Sequence, residues 1–375
     1  MPDFLIQALS PIWQDDDGST PDFVGLARGL SERSLLTARA DRTFLLHHLS
    51  LELERRRTPR PERFLWDSRV AEVLSTVVPT DTVDVRTWPR LVLLQAHALD
   101  LFERTKQRAP LTGSEPGGSP LLTHLSYLLN QFGLFLHSKA EFSAAEPLLR
   151  RALAIDEQSY GPEHPNVATA LNNLASLLQA TNRLEEAEPL MRRALEIDEK
   201  SYGPEHRKVA TLLNNLAMLL KDTNRFEEAE PLMRRALAID EQSYGPEHPR
   251  VATRLNNLAQ LLKATSRLEA AEPLMRRALA IDEHSYGPEH PRVATRLNNL
   301  AGLLRDTHRL QEAEPLSRRA VGIFLNFTRA TGHPHPRLTA ALANYAGILR
   351  DLGRSEAEIE AEIKALQGQY GVTPH

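Results

Sequence analysis

Residues 187 to 217 read AEPLMRRALEIDEKSYGPEHRKVATLLNNLA, and close variants of this stretch recur from residue 142 to residue 286. A fixed period of about 20 to 50 residues is typical of stacked structural units that bury their apolar faces against one another. The chain is therefore a repeat array. Its period is 42 residues, as shown by Pro147, Pro189, Pro231, Pro273 and Pro315, and by Tyr160, Tyr202, Tyr244 and Tyr286.

Each repeat is predicted to be a pair of α-helices. In the second repeat Val167, Leu171, Leu174 and Leu178 follow helical spacing and form one apolar stripe. A short polar turn follows, and then a second helix with its own apolar face. We expect six repeats, at about residues 119–160, 166–203, 208–245, 250–287, 292–330 and 337–370.

Two further patterns recur once per repeat. Glutamate precedes arginine by four residues in the second helix, as in Glu188 and Arg192, which favours a surface ion pair. Small residues at fixed positions predict close helix contacts. They are Ala175, Ala217, Ala259 and Ala301 in the first helices, and Ala187, Ala229, Ala271 and Ala313 in the second.

Composition excludes several classes of protein. Among 375 residues, 45 basic and 49 acidic side chains give a net charge of -4, which provides no general attraction to nucleic acid or an anionic membrane. The absence of cysteine rules out a disulfide framework and fits a cytoplasmic location. The N-terminus does not resemble a signal peptide, and no apolar run approaches the roughly 20 residues that span a bilayer.

The residues before the repeats follow a different pattern. Residues 1–60 are predicted to form a small winged-helix-like module, with a hairpin near residues 34 to 47 between short helices. Residues 61–118 are predicted to be a helical connector that ends in a flexible joint, and residues 119–375 the repeat solenoid. In the connector, a helix over 89 to 108 has Leu93, Ala96, Leu99 and Leu101 among its apolar positions.

The repeated segments AEPL, RRAL, GPEHP and LNNLA resemble the long tetratricopeptide repeats of kinesin light chains and many bacterial proteins. The resemblance covers about two thirds of the chain. It implies an all-α fold, a right-handed superhelical solenoid of about six helix pairs whose first helices line the concave side. It also implies a non-enzymatic scaffold that binds a peptide or partner protein in the groove.

The head is similar to the segment between the nucleotide-binding NB-ARC module and the repeats in bacterial STAND signalling ATPases. The similar motifs are FLLHHL at residues 44 to 49 and Trp88-Pro89. A histidine at the position of His47 contributes to nucleotide sensing in that family, yet no G-x-x-x-x-G-K-[ST] phosphate loop occurs here. The alternative function is therefore a sensor half whose partner is a nucleotide-binding protein in another chain.

No pattern in the sequence indicates catalysis, a metal site or a cofactor. One histidine recurs per repeat after a glutamate, and a loop or capping role is favoured because stacking keeps equivalent positions apart. The basic cluster at residues 55 to 63 is interpreted as a solvated helix end, so no nucleic-acid partner is expected. The recurring histidines are His164, His206, His248 and His290.

The asparagines before each Leu-Ala or Tyr-Ala pair are the candidate peptide-binding set. An extended peptide needs donors and acceptors for its backbone, and Asn offers both. Basic side chains six residues further on predict an acidic partner. A purely structural role for the asparagines, bonding neighbouring helices, stays open. The set comprises Asn173, Asn215, Asn257, Asn299 and Asn344, with Lys221, Lys263 and Arg305.

Overall fold

The computed structural model describes residues 36–38, 44–46, 60–82, 84–106 and 120–371. Strands β1 (Leu36–Ala38) and β2 (Phe44–Leu46) pair antiparallel, with Leu36 opposite Leu46, as the predicted hairpin requires. The helices predicted on either side of this hairpin, and His47, lie outside the described residues. The winged-helix-like module therefore stays a prediction.

Two helices precede the repeats. Helix α1 is Arg60–Val77, and α2 is Trp88–Lys106 after a short 3-10 turn. The apolar positions named from sequence in α2 are only partly correct: Leu101 is buried, but Leu93 is 42% exposed and Ala96 is exposed. The helix buries the face next to the predicted one. Apolar residues lie on several sides of this helix, and contact with the neighbouring helices decides which side is covered. The residues of that face are Leu91, Leu94, Ala98, Leu101 and Phe102.

Twelve helices follow in the described residues from 120 to 371, and they form six consecutive pairs. First helices of about 16 residues alternate with second helices of about 19, at the predicted places. They are α3 (Pro120–Ser138), α4 (Phe142–Tyr160), α5 (Pro165–Ala180), α6 (Leu184–Tyr202), α7 (Arg207–Asp222), α8 (Phe226–Tyr244), α9 (Pro249–Ala264), α10 (Leu268–Tyr286), α11 (Pro291–Asp306), α12 (Leu310–Thr331), α13 (Leu338–Asp351) and α14 (Glu356–Gln369).

The chain divides into two compact units, residues 1–190 and 191–375, with the boundary inside α6. In the first unit α1 and α2 both pack on α3. Ser75 Oγ lies 2.9 Å from His124 Nδ1, and the Trp88 ring meets Phe135 edge to face, with ring centroids 6.1 Å apart. The two helices of the predicted connector therefore cover the first repeat helix.

The second unit repeats one small core. Val251, Ala252 and Leu255 of a first helix pack with Ala278 and Ile281 of its partner helix, and the preceding repeat has the same arrangement. The predicted small residues are all fully buried, which lets paired helices approach closely. Consecutive helix pairs thus pack as in tetratricopeptide solenoids, as the sequence predicts.

Five of the six second helices contain a proline in their first half. Pro231 is the sixth residue of α8, and Pro147, Pro189, Pro273 and Pro315 hold the same position in α4, α6, α10 and α12, whereas α14 contains no proline. This position lies beyond the first turn. A proline within the first turn would remove no hydrogen bond, because the N–H groups there have no partner inside the helix. The helix continues through it because the packed core holds both sides.

The fifth and sixth repeats differ from the earlier ones. Helix α12 extends to 22 residues, and its Phe324 ring stacks on His335 at 4.4 Å between centroids. Tyr345 is fully buried, and its hydroxyl donates to Glu362 at 2.6 Å. Helix α14 begins with a capping box between Ser355 and Glu358. These contacts distinguish the two C-terminal repeats from the earlier ones.

Candidate functional site

The candidate asparagines lie on successive first helices, and hydrogen bonds between neighbouring helices connect them. We call this set the asparagine ladder: Asn173, Asn215, Asn257, Asn299 and Asn344. Asn257 Nδ2 donates to Asn214 Oδ1, and Asn299 Nδ2 donates to Asn256 Oδ1, each at 2.9 Å. The acceptors are buried, whereas the donors are half-buried. The same bond joins Asn173 to Asn130 at 3.3 Å and Asn344 to Asn298 at 3.1 Å.

The ladder therefore has a structural role on its donor side. The amides of Asn173, Asn257, Asn299 and Asn344 each give one N–H to the preceding first helix and so satisfy a polar group between repeats. In the described chain, Oδ1 of Asn173, Asn257 and Asn299 accepts no hydrogen bond. Asn215 differs, because its Oδ1 accepts from Asn214 Nδ2 at 3.4 Å. The carbonyl side of three ladder residues can accept a hydrogen bond from a bound chain.

The basic residues beside the ladder are paired with aspartates. Lys263 Nζ lies 2.8 Å from Asp306 Oδ2, on the next first helix, and Arg305 Nε donates to Asp351 Oδ2 at 2.5 Å. Arg305 holds the pKa of the Asp351 carboxyl below its ordinary value. Lys221 Nζ lies 3.2 Å from Asp222. The row of basic side chains beside the ladder, which the sequence predicts to be positive, therefore alternates with acidic side chains.

Sequence reasoning missed these aspartates and a glycine that makes room for one pair. A Cβ at Gly347 would stand 2.5 Å from Nη1 of Arg305, so the guanidinium lies in space that any other residue would fill. Asn214 and Asn256, the ladder's acceptors, were also missed. The 42-residue period contains the asparagine signal, since position 214 recurs as 256. The aspartate signal is weaker, because Asp222 recurs only after two periods, as Asp306, with Ala264 between them.

The recurring histidines cap the first helices, as predicted. His248 Nδ1 accepts from the Arg250 amide at 3.2 Å, which places the proton of neutral imidazole on Nε2. The loop reaches this cap through Gly245, whose φ is +87°. His164, His206 and His290 cap the first helices of their repeats in the same way.

Each of these loops also presents a tyrosine ring. The Tyr202 and Tyr286 side chains are 37% and 38% exposed, and each stacks on the following histidine of its loop. A basic side chain lies over the same ring: Lys208 Nζ is 4.4 Å from the Tyr202 centroid, and Arg292 is 5.2 Å from that of Tyr286. This aromatic and basic loop surface is a second exposed feature that recurs with the repeats.

The described residues contain no group of three or more histidine or acidic side chains that could hold a metal ion. Within those same residues, no helix combines the length and apolar character needed to cross a membrane.

Consecutive helix pairs that stack along the chain define a helical repeat protein. A family model of the tetratricopeptide repeat matches residues 125–200, 171–242, 208–284 and 255–326, more than half of the chain. The chain belongs to the tetratricopeptide repeat family, and such repeats point to a protein-protein interaction scaffold.

Solved structures include kinesin light chain-like repeat proteins. BtubC (BKLC) from P. vanneervenii is 26% identical with a TM-score of 0.50, over 66% of this chain and 94% of that one. A putative kinesin light chain from Podospora anserina, with nearly identical repeats, is 24% identical with a TM-score of 0.45, over 52% and 92%. PilF of Pseudomonas aeruginosa is 20% identical with a TM-score of 0.40, over 65% and 98%. No curated protein sequence matches significantly.

Proposed function

We propose that the chain is a non-enzymatic scaffold that binds a short acidic peptide along the first-helix face of the repeats. The observation that carries this proposal is the asparagine ladder, because Oδ1 of Asn257 and Asn299 is left to accept while Nδ2 is fixed by the preceding helix. A fixed amide carbonyl at each repeat suits the N–H groups of an extended backbone.

Lys221, Lys263 and Arg305 supply the preference for acidic side chains. A carboxylate of the peptide would replace an aspartate as the partner of Lys263 or Arg305, so binding exchanges one ion pair for another. The gain from each exposed contact is modest, about 0 to 1 kcal/mol, and it weakens with salt. Affinity would therefore come from several repeats acting together.

The test uses the full chain and a fluorescent library of acidic peptides, read by anisotropy. Replacing Lys221 and Lys263 with Glu is expected to weaken binding and remove its salt dependence. Lys200→Glu is the matched control, since it reverses a charge on the second helix, where Lys200 is paired with Glu196 at 2.8 Å. Equal affinity of the ladder-face variant and the wild type would contradict the proposal.

The ladder itself is tested by replacing Asn215 and Asn257 with Ala. Asn257 also satisfies the buried Asn214, so its loss is expected to cost about 1 to 3 kcal/mol of stability. Binding is therefore measured well below the unfolding transition, where the circular dichroism must match that of the wild type. If both sets of variants bind normally, the contact lies elsewhere, and the loops with Tyr202 and Tyr244 are the next surface to test.

The alternative function is the sensor half of a STAND-type signalling ATPase that lacks its nucleotide-binding module. The resemblance of the head favours it, and the predicted partner is then a nucleotide-binding protein in another chain. Co-purification with a P-loop ATPase encoded beside this gene would support this alternative. The isolated chain itself is expected neither to bind ATP tightly nor to hydrolyse it.

A further inference from the structure

Four second helices carry an aspartate at the same repeat position, and each of these side chains is buried. Three of the four accept a hydrogen bond from another side chain. Ser126 Oγ donates to Asp156 at 2.5 Å, while Arg254 and Arg296 donate to Asp240 and Asp282 at 2.7 Å. The fourth, Asp198, accepts none among the described residues. Its Oδ1 is buried without a partner, but so is Oδ1 of Asp240 and of Asp282, so what sets Asp198 apart is that no arginine donates to its other oxygen.

The two arginine pairs show what this position holds when it is filled. Arg254 comes from the first helix of the following repeat, and its Nε donates to Asp240 Oδ2 while Nη2 donates to Thr211 Oγ1 at 3.3 Å. The Arg254 side chain is 8% exposed and the Asp240 side chain is 0% exposed. The position is thus a slot for a planar guanidinium, held by two of its nitrogens. Arg296 repeats the arrangement one period later.

At Asp198 the cation is missing from the sequence. Leu212 lies 42 residues before Arg254 and takes its place in the repeat. Asp198 retains 5% exposure, against 0% for Asp240 and Asp282. Burial raises the pKa of the Asp198 carboxyl above its ordinary value. A buried carboxylate without a paired cation is unfavourable, and a shorter aliphatic side chain cannot satisfy it.

Nearby basic residues of this chain do not fill the slot. Lys208 and His206 lie close enough for their charge to lower the pKa of Asp198, against the larger effect of burial. Lys208 Nζ, however, donates to the Tyr202 hydroxyl at 2.8 Å, and the His206 ring stacks on that tyrosine. Both side chains are held at the loop.

We propose that the slot beside Asp198 and Leu212 binds a guanidinium group supplied by another molecule. The group completes in trans the pair that Arg254 and Arg296 complete within the chain. A guanidinium is favoured over an ammonium because the filled slots use two nitrogens of one plane, a geometry that a single ammonium does not reproduce. This site does not rest on the peptide binding proposed above.

The test titrates methylguanidinium into the full chain and follows the Leu212 methyl signals by NMR, with methylammonium at equal ionic strength as the comparison. Leu212 signals are expected to shift with methylguanidinium, while those of Leu255 stay fixed, because its neighbour Arg254 already fills the next slot. Asp198→Asn is expected to weaken binding about tenfold or more, since a charge-assisted hydrogen bond is lost.

A second variant keeps the test decisive. Leu212→Arg should place an internal guanidinium on Asp198, raise the melting temperature and abolish the response to methylguanidinium. Gly-Arg-Gly and Gly-Lys-Gly peptides then separate the sources: a response to the arginine peptide alone indicates a partner's side chain, and a response to methylguanidinium only indicates a small free ligand. Leu212 signals that do not move, or that move equally in Asp198→Asn, would overturn the proposal.

Discussion

Tyr244 and His248 stack face to face across the Gly-Pro loop, with ring centroids 4.6 Å apart and 20° between their planes. The stack forms because the chain turns at Gly245, where φ is +87° and ψ is 156°. This backbone region is nearly restricted to glycine. The same pairing recurs in three other loops, so the loop conformation is set once per repeat and sustains the 42-residue period.

Gly245→Ala is expected to destabilise the protein by about 1 to 3 kcal/mol through backbone strain alone, because the added Cβ meets open space. Chemical denaturation followed by circular dichroism measures the loss. Gly368→Ala is the matched control: it also meets open space but lies in a helix without positive φ, so a neutral or slightly stabilising effect is expected. Equal effects of the two substitutions would show that the turn is not strained.

Arg254→Leu is expected to destabilise the protein by about 3 to 5 kcal/mol, because it leaves the fully buried Asp240 without its cation. Adding Asp240→Asn should recover part of this loss. Arg276→Leu removes an arginine from an exposed pair with Glu272 and is expected to cost about 1 kcal/mol or less. Urea denaturation of the three variants provides the comparison, and a loss at Arg254 as small as that at Arg276 would contradict a buried pair.

His335 is expected to make stability depend on pH. Burial against Phe324 lowers its pKa from 6.5 to about 4. Because the folded state disfavours the charged ring, the contribution of His335 is fully present above pH 6.5 and is lost as the pH falls towards 4. Unfolding measured at pH 7 and pH 5 for the wild type and His335→Asn tests this. The pH dependence should be smaller in the variant, and an unchanged dependence would assign it to other groups.

A chain of residues 119–375 is expected to fold with strong helical circular dichroism, because each repeat packs on its neighbours. It should melt about 5 °C or more below a chain of residues 60–375, since the shorter chain lacks the α1 and α2 helices that cover α3. Equal melting temperatures would show that these helices add nothing to the repeats. Limited proteolysis of the full chain is expected to cut first between residues 107 and 119.

The sequence alone determined the repeat, the helix pairs and the residues that pack between the paired helices. The spacing of apolar and small side chains is a local signal that recurs in each repeat, so Ala217 and Leu171 could be placed in the core without a structure. The capping histidines followed from the same logic, because a helix start is decided within a few residues.

Only the tertiary structure decided which polar groups meet. Across helix interfaces, Lys263 pairs with Asp306 and Arg254 pairs with Asp240, while Asn257 donates a hydrogen bond to Asn214. The face of α2 that is buried, with Leu91 inside and Leu93 outside, likewise depends on the neighbouring helices. Such pairings depend on side-chain direction and on which helices are adjacent. A sequence period states only that equivalent positions recur. The packed structure decides whether each buried aspartate is paired with an arginine, as at Asp240, or lacks one, as at Asp198.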